Sequence, residues 1–251
     1  MEKNTGDLRF GENKGSGPAA YFLRLPQYRL LGDNPPFACT KTQMYEESLT
    51  QSTKRLLDAL NRAGFVKDFY LAGGSALALY LGHRFSVDLD WFAENFSFTP
   101  DFRKKLVKVG TLSIDSESPN TLNGALDGVK ISFFEYSYPL IAPKTEYKTN
   151  VYLAGKPDIA AMKLEAVASR GTYKDFIDIY FLLKEYRLGE LLNFVREKFA
   201  DIDYNETHLL KSLTYFEDAK KSGMPEMIKR VSWDEVKKSL LRAVEDYVKN
   251  S

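Results

Sequence analysis

Cysteine is almost missing from this sequence: Cys39 is the single one in 251 residues. One thiol excludes an internal disulfide and a thiolate zinc cluster, and it suits a reducing compartment. No run approaches the roughly 20 apolar residues a membrane-spanning helix needs. The first residues lack the basic-then-apolar pattern of a signal peptide, so a cytoplasmic protein without a membrane role is expected. An excess of either charge is missing too, the formal net charge being +1. That balance neither supports nor excludes nucleic acid, because binding rests on a local basic patch rather than on the total. Internal repeats are absent. What remains is ordinary for a globular chain: 44% apolar and 27% charged residues, long enough for one large domain or two small ones.

The chain is organised around FYLAGGSALALYLGHRFSVDLDWF, Phe69 to Phe92. It reads as an apolar strand ending at Ala72, a turn of Gly73, Gly74 and Ser75, a short helix, and a second strand carrying Asp88 and Asp90. Residues two apart on a strand share a face, so Asp88 and Asp90 are expected side by side with Leu89 turned into the core. Neighbouring carboxylates repel, and a divalent cation between them is the economical remedy. Glycines allow close backbone approach, and the amide groups opening the following helix suit a phosphate. Carboxylates for a metal facing a seat for phosphate point to nucleotide chemistry.

Residues 1–43 are rich in Gly, Pro and Asn and read as an irregular extension, in which Arg24 and Arg29 belong to a solvated arm. Leu49, Leu56, Leu57 and Leu60 recur at helical spacing, with Gly64 as a stop. Thr99-Pro100-Asp101 opens a helix carrying Arg103, Lys104, Lys105 and Lys108 on a solvated face. Three strands follow, Thr111 to Glu117, Thr121 to Leu126 and Val129 to Tyr136, with Asn123-Gly124 and Asp127-Gly128 as turn dipeptides. Asn150 to Leu153 closes the sheet. From Lys156 the pattern is helical, ending in a helix capped by Ser232-Trp233-Asp234-Glu235. The expected fold is α/β (α+β): a mixed sheet with flanking helices over 44–155, then a helical half over 156–251.

Gly73-Gly74-Ser75, twelve intervening residues and Asp88-Leu89-Asp90 resemble the signature of the DNA polymerase β-type nucleotidyltransferases. Gly82 to Phe92, Gly128 to Phe134, and Lys163-Leu164-Glu165-Ala166 through Arg170, Lys174-Asp175 and Asp178 resemble, more narrowly, the AbiEii/AbiGii toxin family. The resemblance runs from about Tyr45 to the C-terminus.

The resemblance implies that Asp88 and Asp90 hold Mg²⁺ and that Gly73, Gly74 and Ser75 seat a nucleoside triphosphate. It also implies that Lys163 faces the triphosphate and that Asp175 or Asp178 assists the acceptor. The acceptor it implies is RNA, in particular the 3′ end of tRNA, in a toxin opposed by a cognate antitoxin. Arg84 is open to two readings, a phosphate ligand or an ion pair with Asp88; Asp175 and Asp178 are likewise open to pairing with Lys174 or Arg170. The third carboxylate usual in the superfamily is expected at Ser132, where no charge stands, with Glu135 and Asp127 nearby. Transfer to a small molecule such as an antibiotic, or nucleotide binding without turnover, therefore stay as alternatives.

Overall fold

The computed structural model describes residues 43–201 and 204–250. The expectations for the N-terminal extension, Arg24, Arg29 and Cys39 lie outside them. Helix α1 (Gln51–Arg62) is capped by Thr50, whose hydroxyl accepts from the Thr53 amide at 3.3 Å. It ends before Gly64, which takes φ +74°, a region costly for any residue with a side chain. Strand β1 (Tyr70–Ala72), helix α2 (Gly73–Leu81) and strand β2 (Leu89–Ala93) form the central unit. Gly73 to Ser75 are the first turn of α2 itself rather than a separate turn, and Asp88 sits one residue before β2. Helix α3 (Pro100–Val109) follows, with Thr99 accepting from the Phe102 amide at 3.2 Å.

Strands β3 (Leu112–Ser118), β4 (Thr121–Leu126) and β5 (Val129–Glu135) form an antiparallel meander. Asp127 (φ 50°) and Gly128 (φ 77°) make the hairpin turn between β4 and β5. Asn123-Gly124, in contrast, is not a turn but the middle of β4. A Cβ on Gly124 would stand 2.2 Å from the Ser113 carbonyl oxygen, beside the bulge between Ile114 and Ser116. The glycine is there for a close backbone approach. Strands β6 (Thr145–Lys148) and β7 (Val151–Leu153) complete a seven-stranded sheet of order β3-β4-β5-β2-β1-β7-β6. The sheet is mixed, since β2 runs parallel to β5 and β1 parallel to β7. Strand β6 is an addition to the strands expected from the sequence.

One face of the sheet carries Leu71, Trp91, Ile131 and Phe133, all buried. Phe133 meets Phe69 and Phe102 edge-on at 5.2 Å each, which seats α3 on that side. The other face carries Ala72, Asp90 and Ser132 in one row and opens into a cleft. Helices α4 (Lys156–Ser169), α5 (Tyr173–Leu182), α6 (Leu188–Lys198), α7 (Glu206–Thr214) and α8 (Trp233–Lys249) make up the rest. No helix among the described residues is long and apolar enough to cross a membrane.

A buried ion pair fastens α6 to α4. Lys198 Nζ lies 2.7 Å from Asp158 Oδ1, both side chains fully buried, and Asp158 also accepts from the Ile141 and Ala142 amides at 3.1 and 3.0 Å. Removing the cation alone leaves an uncompensated buried carboxylate. Lys198→Met is therefore expected to cost about 3–5 kcal/mol in chemical denaturation. The double variant with Asp158→Asn should recover much of that loss.

Candidate active site

The site is built where β1 ends and α2 begins. Gly73 takes φ +65°, and a Cβ there would stand 2.7 Å from Asp90 Oδ2. A Cβ on Gly74 would stand 2.5 Å from Arg84 Nη2. Both positions are therefore closed to a side chain by the functional groups packed against them. No side chain caps the α2 N-terminus, so its first amides are available to an anion. Ser75 is buried and turned away, its hydroxyl donating to the Asp88 carbonyl oxygen and accepting from Ser86 Oγ at 2.9 Å. Ser75 thus holds the start of β2 against α2.

Asp90 pairs across the sheet with Ala72 on one side and Ser132 on the other. Burial, and then the Asp88 carboxylate, push its pKa up, while a hydrogen bond with Ser132 partly offsets them. Asp88 is partly exposed and has Lys174 Nζ 3.6 Å from its Oδ2. Its partner is thus Lys174, not Arg84. Ser132 occupies the row position expected of a third carboxylate, and neither nearby acid replaces it. Asp127 Oδ1 accepts from the Thr111 amide at 2.8 Å and Glu135 accepts from Asn120, both outside the cleft lining.

Behind the carboxylates lies a buried network of charge. Asp178, fully buried, accepts from Arg84 Nε and Nη2 at 2.7 and 2.9 Å and from His83 Nε2 at 2.7 Å, with Lys163 Nζ at 2.7 Å. Burial opposes its ionisation, but Arg84 and Lys163 outweigh it and hold the pKa well below the ordinary carboxylate range. Asp175 is set the same way, accepting from Arg170 Nε and Nη2 at 2.9 and 3.0 Å, from Lys163 at 3.1 Å and from Thr172 Oγ1 at 2.5 Å. His83, with its pKa lowered by burial, is neutral and donates from Nε2. Both aspartates are consumed by these partners, and neither lines the cleft.

The cleft has a volume of about 520 Å³. Gly73, Gly74, Arg84, Asp88, Asp90 and Lys163 all line it, so the sequence-derived phosphate seat, carboxylates and lysine converge there. Lys130, Arg170 and Lys174, which no local motif marks as site residues, line it as well. Their cationic types were visible, but their common direction depends on β5, α4 and α5 meeting over β2. The five cations lining the cleft meet five acids, Asp88, Asp90 and Glu226 on its wall and Asp175 and Asp178 behind it, so the charges balance and Arg84, Lys163 and Arg170 are held by the buried pair.

The mixed sheet, the uncapped Gly-Gly helix start and the paired carboxylates are features in keeping with a nucleotidyltransferase, and the family match shows that class. The family model described as "Nucleotidyl transferase AbiEii toxin, Type IV TA system" matches residues 55–114 and 129–250. The chain belongs to that family. An uncharacterised protein of Aquifex aeolicus (strain VF5) is 37% identical over 211 residues, 80% of this chain and 98% of the relative. The fold is also similar to that of MenT4, a nucleotidyltransferase toxin from Mycobacterium tuberculosis H37Rv. That similarity has TM-score 0.52 at 12% identity and covers 77% of this chain and 80% of that one.

The two classes of aspartate have opposite linkage. Asp178 has a lowered folded pKa, so its stabilisation is complete above the ordinary carboxylate value of roughly 4 and is lost as pH falls through the folded value. Asp178→Asn should cost about 3–5 kcal/mol at pH 7, with the gap to the parent closing in acid. Asp90 has a raised folded pKa, so its ionised form opposes folding above that value. Asp90→Asn should raise the melting temperature in chelator at pH 7, and thermal melts of both variants across pH 3–7 check the pair of signs.

Proposed function

We propose that this protein moves a nucleoside monophosphate from a nucleoside triphosphate to a hydroxyl of RNA, such as a tRNA 3′ end, with Mg²⁺ held by Asp88 and Asp90. In this reading the activity is that of a toxin restrained by a cognate antitoxin. The observation that carries it is the convergence of Asp88 and Asp90 with the Gly73-Gly74 helix start, Arg84 and Lys163 in one cleft.

The chemistry of the donor set fits a divalent ion, since Asp88 and Asp90 are both hard oxygen donors and lie close enough for the Asp88 charge to raise the Asp90 pKa. Among the described residues no third acidic, His or Cys side chain joins them in a cluster. Lys174, 3.6 Å from Asp88, is the cation already present beside them. When bound, Mg²⁺ neutralises phosphate oxygens and aligns attacker with leaving group. The chain's own groups do the rest. The α2 amides, Arg84 and Lys163 receive the β- and γ-phosphates and the negative charge of the departing pyrophosphate. The acceptor oxygen bonds to the α-phosphorus as the bond to the bridging oxygen breaks, and the hydroxyl proton passes to solvent, since Ser132 offers no base.

Asp175 and Asp178 act as positioning residues, holding Lys163 and Arg84 in place rather than meeting the acceptor. The sheet half, 44–155, carries carboxylates and phosphate seat, while the helical half, 156–251, supplies Lys163, Arg170 and Lys174. RNA as acceptor is supported by Lys130, an exposed cation on the cleft wall that suits a phosphate backbone better than a cationic small molecule.

The test is incubation with Mg²⁺, total RNA and each α-labelled nucleoside triphosphate in turn. Label is expected in a discrete RNA band, falling by a factor on the order of a hundred or more in Asp88→Asn and Asp90→Asn variants. Nucleotide binding with no label on any RNA would overturn the RNA acceptor. Asp178→Asn should lower kcat, and Asp178→Glu should restore only part of it, because the bidentate Arg84 contact needs the shorter arm.

A further inference from the structure

The row of the sheet next to the carboxylates is aromatic. Ala72, Asp90, Ser132 and Asn123 lie across from one another, and two residues on, in the same order and on the same face, come Tyr70, Phe92, Phe134 and Thr121. Phe92 stacks on Tyr70 at 5.9 Å and 20°, and Phe134 stacks on Phe92 at 5.1 Å and 29°. Tyr70 and Phe92 are buried. Phe134 is only half-buried and lines the cleft. Its ring is thus braced from behind and presented to the site.

The side of the site on which Phe134 stands follows from the order of the groups. The phosphate seat lies at the end of β1, Asp90 on β2, and Ser132 and Phe134 on β5, with Asn123 beyond on β4. In phosphoryl-type transfer, attacker and leaving group lie roughly in line through phosphorus. With pyrophosphate departing over β1 and α2, the attacking hydroxyl arrives over β5 and β4. We infer that Phe134 is the platform on which the terminal base of the acceptor strand stacks, setting its hydroxyl over Ser132. This inference rests on the RNA-acceptor reading and adds to it the part of the acceptor that is gripped. Stacking on an aromatic ring tolerates any base, so Phe134 positions the terminal nucleoside without reading its identity.

Steady-state transfer by the parent, Phe134→Leu and Phe134→Trp tests this, with thermal melts to confirm folding. Two acceptors are compared: an RNA that the parent labels, and the same RNA with an abasic terminal nucleotide. Phe134→Leu is expected to raise the KM for the intact RNA roughly five- to a hundredfold, leaving the KM for the nucleoside triphosphate unchanged. Phe134→Trp should restore it. The abasic acceptor should suffer a similar loss with the parent and no further loss with Phe134→Leu. A rise in the KM for the triphosphate instead would assign the ring to the incoming nucleotide and overturn the inference. Unchanged KM values in a folded Phe134→Leu would reduce the ring to core packing while leaving RNA as acceptor intact. Failure of the parent to label any RNA would remove the acceptor reading and this inference together.

Discussion

The structure depends on one buried carboxylate. Asp178 is fully enclosed, and both its oxygens are used by Arg84, Lys163 and His83. A carboxylate removed from water is tolerated only when cations and donors replace the lost hydration. Asp178 belongs to α5, Lys163 to α4, and His83 and Arg84 to the segment between α2 and β2. One residue thus binds the helical half to the edge of the phosphate seat. The dependence continues outward, since the Arg84 guanidinium sits so close beneath Gly74 that only glycine fits. A helix start able to take phosphate and a fixed cation under it are two results of the same constraint.

Asp90 shows the reverse. Its environment and the Asp88 carboxylate both oppose its charge, and the nearest relief comes from Ser132 and from lysines at a distance. The chain therefore contains an aspartate whose charge the fold satisfies and one whose charge it does not. Asp178 is matched by cations on every side, and Asp90 faces the cleft with burial and the Asp88 carboxylate against its charge. Departures from local consistency of this kind concentrate at functional sites.

Much of the fold was legible because its signals are local. Thr99-Pro100, Ser232 with Glu235, and Asp127-Gly128 act within a few residues, and the structure uses each as a cap or turn. The Gly-Gly-Ser and Asp-Leu-Asp spacing was legible for the same reason, since strand alternation and helix starts are short-range geometry. What was misread depended on a distant neighbour. Gly124 looks like part of a turn dipeptide, yet its reason is the Ser113 carbonyl oxygen on the adjacent strand. Lys174 follows Tyr173 at the start of α5 and looked like a partner for the neighbouring aspartates, but it turns to Asp88 on the sheet.

By itself the sequence determined the class of enzyme, a nucleotidyltransferase, because Gly73-Gly74-Ser75 and Asp88-Leu89-Asp90 stand along the chain at the spacing of that class. It also determined the mixed sheet followed by helices, because period and punctuation are written along the chain. Only the tertiary structure decided which charges are buried in ion pairs and which face the cleft. Asp88, Asp90, Asp175 and Asp178 are the same residue type, and nothing local separates them. Their surroundings do, because the cost of a carboxylate is set by the groups within a few ångströms, and those groups come from strands and helices far apart in the chain.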